Sequence, residues 1–373
     1  MAEAGSSIGE PLDLRRGELV RVRSEEAILA TLDQKGELDG LPFMPEMFRY
    51  CGRTYRVHRR ADKTCDTISG QIRALRMRQA VHLEDLRCDG AAHGGCEAAC
   101  LIFWKEAWLE RTDPPRTHRL WSLAEDRVGG APTHPEPGGG CTRAIVEERA
   151  IRSTETECGE TTWRCQITQL LEATTPLSSR APRQYLRDWL SGNVLLSYLL
   201  RVAILRFAAR LVYGRGFRMK VRLYDRLARL FGEPAWPYHP GRVEGRTPTG
   251  RLDLQPGELV TVRSHDEILD TLKGMSNRGL DFAPEMVRYC GKTFRVRARV
   301  EKILDERTGR MVRMKNDCII LENVVCQSEC SVHRLFCPRG IFPYWREIWL
   351  RRADGEEADE EGKERPASAV PDP

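Results

Sequence analysis

The segment Leu12-Asp-Leu-Arg-Arg-Gly-Glu-Leu-Val-Arg-Val-Arg-Ser24 recurs as Leu252-Asp-Leu-Gln-Pro-Gly-Glu-Leu-Val-Thr-Val-Arg-Ser264. Two further segments recur in the same order. They are Phe43-Met-Pro-Glu-Met-Phe-Arg-Tyr-Cys-Gly-Arg-Thr-Tyr-Arg-Val57, repeated as Phe282-Ala-Pro-Glu-Met-Val-Arg-Tyr-Cys-Gly-Lys-Thr-Phe-Arg-Val296, and Trp104-Lys-Glu-Ala-Trp-Leu109, repeated as Trp345-Arg-Glu-Ile-Trp-Leu350. Chance does not produce three ordered matches. The sequence therefore contains two copies of one module, at 12–112 and 252–352.

Each copy predicts a small barrel of short strands. Apolar and charged residues alternate from Glu18 to Arg23, as in a half-buried strand, and Ser24 then stands at an N-cap position. In the second copy Ser264 and Glu267 have capping-box spacing, whereas the first copy has Ala27 at the matching position. Five short strands without a βαβ rhythm resemble an SH3-like barrel. We therefore expect an α+β fold with two tandem SH3-like modules, each carrying a Cys/His metal loop, separated by a helical insert.

The segments outside the copies differ in composition. A Pro- and Gly-rich linker is expected over 113–160, and a basic, helical insert over 161–245. The acidic tail at 353–373 cannot bury enough apolar surface to order itself, so it is predicted to be disordered.

Each copy contains a cluster of three cysteines and one histidine near its end. The clusters are Cys88, His93, Cys96 and Cys100 in the first copy, and Cys326, Cys330, His333 and Cys337 in the second. When the clusters are matched in order, His93 faces Cys330 and Cys96 faces His333. A disulfide cannot survive a Cys-to-His exchange, but a tetrahedral metal site can, because thiolate and imidazole are alternative ligands. All eight residues are therefore predicted metal ligands.

Zinc is the expected ion, because Cys₃His is a common structural zinc set. Iron or an iron-sulfur cluster is the alternative, since such clusters also accept cysteine and histidine ligands. Buried or redox-active thiols are the competing interpretation of the same residues. The sequence assigns no role to four further cysteines, which are Cys51, Cys290, Cys158 and Cys165.

Two other recurring features have structural explanations. The tryptophan pairs Trp104/Trp108 and Trp345/Trp349 are spaced to share one face and are expected to build a core. Glu46 and Glu285 are candidates for acid/base chemistry, but a glutamate beside proline commonly starts a helix. The chain has no Walker loop, dinucleotide fingerprint, nucleophile elbow or zinc-protease motif, which favours a non-enzymatic role.

The stretch from Arg201 to Arg229 is the most basic in the chain. It could contact nucleic acid, an anionic lipid surface or an acidic partner, or its arginines could extend from an apolar helix core. Val194 to Tyr213 is apolar on most of its circumference, which predicts cover from the barrels, a protein partner, a second copy or a membrane surface. Arginines interrupt this stretch too often for a transmembrane helix.

The composition and the N-terminal residues favour a cytoplasmic protein. The net charge is +5, and thirteen cysteines in a reducing compartment are more often ligands or reactive thiols than disulfides. Residues Met1 to Arg16 lack the apolar region of a secretory signal.

The Pro-Glu-Met-x-x-Tyr-Cys-Gly and Trp-x-Glu-x-Trp-Leu motifs resemble segments of bacterial Cys-rich proteins of uncharacterised function that carry the module more than once. The resemblance covers both copies and implies no activity. The sequence favours a metal-binding scaffold or accessory protein that binds a protein partner. The alternatives are an iron-dependent accessory or tailoring protein of a biosynthetic pathway and a nucleic-acid-binding protein.

Overall fold

The computed structural model describes residues 12–112, 140–153, 160–212, 216–331 and 333–353. Over these residues the fold is mixed α+β, with several antiparallel sheets, one of them curled into a half-barrel. The chain divides into two compact units. Unit 1 comprises Met1–Val194, Lys302–Val312 and His333–Gly340, and unit 2 comprises Leu195–Glu301, Arg313–Val332 and Ile341–Pro373.

Unit 1 contains the first copy. Its strands are β1 (Leu19–Val22), β2 (Glu37–Leu38), β3 (Leu41–Pro42), β4 (Thr54–Arg60), β5 (Lys63–Cys65), β6 (Ala74–Arg76), β7 (Ala80–Arg87), β8 (Leu101–Lys105), β9 (Leu109–Arg111), β10 (Ile151–Ser153), β11 (Thr162–Trp163) and β12 (Thr175–Leu177). Its helices are α1 (Glu25–Leu29), α2 (Arg143–Arg149) and α3 (Arg183–Leu190), with 3₁₀ turns at Pro45–Tyr50 and Glu106–Trp108. The main sheet has the order β8-β7-β4-β1-β9.

Unit 2 contains most of the second copy. Its strands are β13 (Gly241–Arg242), β14 (Leu259–Val262), β15 (Lys273–Gly274), β16 (Ser276–Asn277), β17 (Leu280–Asp281), β18 (Thr293–Arg299), β21 (Ile319–Leu321) and β22 (Leu350–Arg352). Strands β19 (Lys302–Leu304) and β20 (Met311–Arg313) form a separate pair, and of their residues only Arg313 belongs to unit 2. Its helices are α4 (Leu196–Val212), α5 (Phe217–Leu230) and α6 (His265–Leu269), with 3₁₀ turns at Pro284–Tyr289 and Glu347–Trp349. The main sheet has the order β21-β18-β14-β22.

Matching residues of the two copies pair in the same register within their own sheets. Val20 is opposite Tyr55 on one side and Arg111 on the other. Val260 is opposite Phe294 and Arg352. This pairing explains the alternation of apolar and charged residues in the segment. Successive side chains of a strand point to opposite faces, and those of Val20 and Val22 are fully buried.

The helix starts follow the capping chemistry of the sequence. Ser24 Oγ accepts a hydrogen bond from the N–H of Ala27 at the start of α1. Ser264 and Glu267 form the complete, reciprocal capping box at the start of α6. The predicted capping box in the second copy is therefore confirmed.

The paired tryptophans are core residues, as expected. All four are fully buried. Trp108 Nε1 donates to Thr31 Oγ1 at 3.1 Å, and its ring meets that of Phe43 edge-on at 5.2 Å. Trp349 Nε1 donates to Thr271 Oγ1 at 2.9 Å. The hydroxyl satisfies the indole N–H, so this ring can be buried without a lost hydrogen bond.

The glutamate between the tryptophans holds the Leu-Asp-Leu segment that opens each copy. In unit 1 the Glu106 carboxylate accepts the backbone N–H groups of Leu12, Asp13 and Leu14 at 2.9, 3.1 and 3.0 Å. In unit 2 Glu347 accepts the N–H groups of the matching residues, which are Leu252, Asp253 and Leu254. This carboxylate is therefore a structural anchor of the module.

The segment predicted as a helical insert is shared by the two units. Strands β11 and β12 and helix α3 belong to unit 1, where β12 adds to the edge of the β5–β6 hairpin, with Pro176 opposite Leu75. Helices α4 and α5 belong to unit 2 and pack against each other. No helix among the described residues is both long and apolar enough to cross a bilayer. Most of the linker and nearly all of the acidic tail lie outside the described residues.

Candidate metal centre

The first Cys/His cluster lies on the loop that joins β7 to β8. The loop is closed at its base by a hydrogen bond from the Cys88 N–H to the Cys100 carbonyl, at 2.8 Å. Gly90 has a φ of +70°, and a Cβ built on it would lie 2.0 Å from the Cys96 carbonyl oxygen. A tight loop of this kind needs glycine at that position. The loop backbone thus folds the cysteines and the histidine towards one another.

Three potential ligand atoms converge beneath this loop. Cys88 Sγ lies 3.0 Å from Glu46 Oε1 and 3.9 Å from His93 Nδ1, and His93 Nδ1 lies 3.3 Å from Glu46 Oε1. Among the described residues, these form the one group of three or more Cys, His, Asp or Glu ligand atoms within 4.8 Å of one another. The side chains of His93 and Glu46 are only 1% and 2% exposed. A buried carboxylate and imidazole in contact with the half-buried Cys88 thiol form a candidate metal-binding triad.

The electrostatics of the triad suit a cation. Burial raises the pKa of Glu46, but hydrogen bonds from His93 and Cys88 and the charge interaction with His93 outweigh it, so the pKa is lowered overall. Burial and the nearby Glu46 charge raise the pKa of Cys88. The thiol therefore keeps its proton and donates a hydrogen bond to the ionised carboxylate. A bound cation would take the place of that proton.

Three more thiols line the cavity next to the triad. Cys96, Cys100 and Cys165 border the same space as Cys88 and His93, in a cavity of about 40 Å³. The rest of the lining is largely apolar and includes Met44, Ile102, Ile167 and Leu304. Burial raises the pKa of Cys100 to about 12 and that of Cys165 to about 11. Four thiols and an imidazole around one apolar space are a donor set for a thiophilic ion.

The sequence alone identifies only part of this centre. Cys88, His93, Cys96 and Cys100 all border the cavity, but Cys96 and Cys100 lie outside the group of three that meets most closely. Glu46 and Cys165 come from other elements. The sequence gives one indication of a role for Glu46, which is the recurrence of glutamate in both Pro-Glu-Met motifs. The same recurrence is also explained by helix capping, because a glutamate beside proline commonly starts a helix. Nothing in the sequence indicates that Cys165 belongs to this centre, because it has no counterpart in the second copy.

In the second copy, Glu285 takes the place of Glu46. Cys326 Sγ donates to Glu285 Oε2 at 2.5 Å, and the Cys330 N–H is 3.4 Å from Glu285 Oε1. Burial, with the Glu285 charge as the next cause, raises the pKa of Cys330 to about 12. The motif glutamate thus contacts the first cysteine of its cluster in both copies.

The other two residues of the second cluster belong to unit 1. His333 is exposed, with Nδ1 3.4 Å from Ser179 Oγ. Cys337 is buried beside Cys65, and a hydrogen bond between these thiols, together with burial, raises the pKa of Cys65. Arg339 Nη1 lies 3.9 Å from Cys65 Sγ. Cys65 thus lies beside Cys337 of the second cluster, although the two residues are far apart in the sequence.

The remaining cysteines have simpler surroundings. Cys51 and Cys290 are half-buried after the 3₁₀ turns and pack against the cores of their units. Cys141 and Cys318 are buried, and Cys158 lies outside the described residues. None of the twelve cysteines in the described part of the chain forms a disulfide.

Comparison with models of known protein families and with curated proteins finds no match. The function therefore has to be argued from the geometry of the site.

Proposed function

We propose that the protein binds a metal ion in unit 1 and that this ion links separate elements of the first module and stabilises its fold. The proposal rests on the convergence of the ligand atoms of Glu46, Cys88 and His93 within 4.8 Å, with Glu46 and His93 buried and Cys88 half-buried. Cys96 and Cys100 border the adjoining cavity and supply the remaining donors when the loop closes on an ion. An ion held by residues from separate elements stabilises the folded state over the unfolded chain.

Zinc is the ion that fits this donor set best. Thiolate, imidazole and carboxylate are its usual protein ligands, and a structural site has no need of an open position. A cavity of about 40 Å³ has room for roughly three water-sized groups, which suits one ion better than a four-iron cluster with its sulfides. Iron is the alternative ion. With iron bound, the protein would be the accessory or tailoring protein of a biosynthetic pathway that is the alternative function.

The proposed role is that of a scaffold. Each copy would form a small SH3-like module, and the pair would hold a protein partner in the cytoplasm. The chain would then belong with the bacterial Cys-rich proteins that carry the same motifs. For the second copy, metal binding rests on the sequence, because Cys326, Cys330, His333 and Cys337 repeat the ligand types of the first.

Elemental analysis of the purified full chain, with an absorption spectrum, tests the proposal. We expect two zinc ions per chain and a colourless protein. Cys88→Ser should lose one ion, and so should the double variant Cys96→Ser with Cys100→Ser. Cys51→Ser is the matched control, because Cys51 is also half-buried but packs against the core of unit 1. It should keep both ions.

Replacement of the native ion by Co²⁺ reads out the ligands directly. A tetrahedral cobalt site with thiolate ligands absorbs in the visible range, and Cys88→Ser should weaken that band. Folded protein that contains no metal would overturn the proposal. A brown protein with iron and acid-labile sulfide would replace zinc by an iron-sulfur cluster.

A further inference from the structure

Helix α4 has two apolar faces on opposite sides. One face is buried in unit 2 and consists of Tyr198, Val202, Leu205, Ala209 and Val212. The opposite face carries Leu196, Leu200, Ile204, Phe207 and Leu211, which are between 45% and 65% exposed. Their spacing of three or four residues aligns them along one side of the helix. A helix with a second apolar face needs a second cover.

Helix α5 also has an exposed apolar side. It packs against α4 through Val221, Tyr224 and Ala228. On its outer side Met219, Leu223 and Leu230 are 73%, 67% and 82% exposed. Large apolar residues are normally scattered singly on a surface, so eight of them on two neighbouring helices mark an interaction surface. We call the exposed side of α4 and α5 the hairpin face.

The hairpin face is bordered by positive charge. Two arginines of α4 have structural partners, since Arg201 pairs with Glu233 and Arg206 donates to the Tyr238 hydroxyl. The Asp225 carboxylate is engaged by the Trp236 N–H. Five further arginines are exposed and have no acidic partner among the described residues. They are Arg210, Arg218, Arg222, Arg226 and Arg229.

We propose that the hairpin face docks on the surface of a bilayer that contains anionic phospholipids. The apolar side chains would enter the boundary between headgroups and acyl chains, and the arginines would contact the phosphate groups. Neither helix is long and apolar enough to span the bilayer, so the hairpin would lie in the membrane plane. This activity is independent of the first metal centre, to which only residues of unit 1 contribute.

The charge pattern argues against the two other occupants. In a symmetric dimer through this face, the same arginines of both chains would meet, and repulsion between like charges opposes that contact. Nucleic acid would satisfy the arginines through its phosphates. It would leave Phe207, Leu211 and Met219 exposed to water, whereas a membrane surface satisfies both the apolar and the charged residues.

Vesicle co-sedimentation with the full chain tests the proposal. We expect binding to phosphatidylcholine vesicles that contain phosphatidylglycerol and little binding to phosphatidylcholine alone. Arg222→Glu with Arg226→Glu should lower the partition coefficient at least about tenfold, because each basic residue contributes to adsorption on an anionic surface. Phe207→Ser with Leu211→Ser should lower it by a similar factor, through lost apolar insertion.

Matched controls come from unit 1. Ile72 is 60% exposed and Arg53 is also exposed, so Ile72→Ser and Arg53→Glu should bind as the unaltered chain does. Circular dichroism establishes that each variant is folded. No vesicle binding by the folded chain would overturn the proposal. Equal losses in the control variants would do so too, as would a dimer that Phe207→Ser dissociates, or a preference for duplex DNA or RNA over the anionic vesicles.

Discussion

Arg60 Nη1 lies 2.6 Å from Glu106 Oε1, and both side chains are only 2% exposed. Burial alone would lower the pKa of Arg60, but the charges of Asp62 and Glu106 raise it above its ordinary value. In the second copy Arg299 Nη2 lies 2.7 Å from Glu347 Oε1. The two copies thus share an ion pair that ties a strand to the carboxylate anchor, and in unit 1 both members of the pair are buried.

Loss of the Glu106 charge should destabilise unit 1 strongly. Glu106→Gln leaves the buried Arg60 guanidinium without one of its anions and weakens the hold on the Leu12 to Leu14 backbone. Breaking a buried ion pair of this kind typically costs about 3 kcal/mol or more. Urea unfolding followed by circular dichroism measures the change in the free energy of unfolding.

Glu110→Gln is the matched control for that experiment. Glu110 pairs with Arg21 at 3.6 Å, but these side chains are 45% and 55% exposed. A pair so open to solvent contributes less than about 1 kcal/mol. If the Glu106 and Glu110 variants lost equal stability, the anchor role of Glu106 would be wrong.

Cys165→Ser should weaken metal binding without abolishing it. Cys165 borders the cavity beside Cys88 and His93 but lies outside the close triad. Residues that support first ligands commonly change metal affinity about ten- to hundredfold. Competition with a chromophoric zinc chelator measures the dissociation constant. Cys141→Ser, also a buried cysteine, is the control that should keep the original affinity; equal affinities for both variants would exclude Cys165 from the centre.

The parts of the fold that depend on local pattern could be predicted from the sequence. Strand alternation placed Val20 and Val22 in the core, and the Ser264–Glu267 spacing gave the correct cap. These features depend on residues within a few positions of one another. The mixed α+β class follows from them, whereas the partition of the insert between the units does not.

The composition of the metal centre could be predicted only in part. Cys88 and His93 are close in sequence, so their spacing reveals them. Glu46 and Cys165 reach the same place through tertiary packing, with Cys88 Sγ and Glu46 Oε1 in contact across 42 positions. Cys65 meets Cys337 in the same way. Single-sequence spacing carries no information on such pairs.

Gly90→Ala should distort the metal loop. A Cβ at this position would lie 2.0 Å from the Cys96 carbonyl oxygen, so the backbone must move. We expect loss of the unit 1 ion, measured by elemental analysis, and a lower melting temperature.

Gly70→Ala separates this steric effect from backbone strain. Gly70 has a φ of +74°, close to the +70° of Gly90, but nothing lies within 4 Å of its Cβ position. It should cost only about 1–2 kcal/mol for the left-handed conformation and retain the ion. An ion retained equally by both variants would show that the loop tolerates the displacement.

The buried histidine His82 should make folding stability dependent on pH. Its Nδ1 donates to the Ile102 carbonyl at 2.9 Å, and burial lowers its pKa to about 3, from an ordinary value of 6.5. Between pH 3 and pH 6.5, His82 is protonated in the unfolded chain and neutral in the folded chain. The stability contributed by neutral His82 is therefore complete above pH 6.5 and falls as the pH decreases towards 3.

At pH 5 the proton on the unfolded chain should cost about 2 kcal/mol, because each unit below 6.5 corresponds to about 1.4 kcal/mol. His82→Asn keeps a donor for the Ile102 carbonyl but does not titrate. Between pH 7.5 and 8.5 the free energies of unfolding of the two proteins in urea should therefore change with pH in the same way. Below pH 6.5 the unaltered chain should lose stability faster than the variant. Identical slopes at low pH would mean that His82 accepts a proton in the folded state as readily as in the unfolded one.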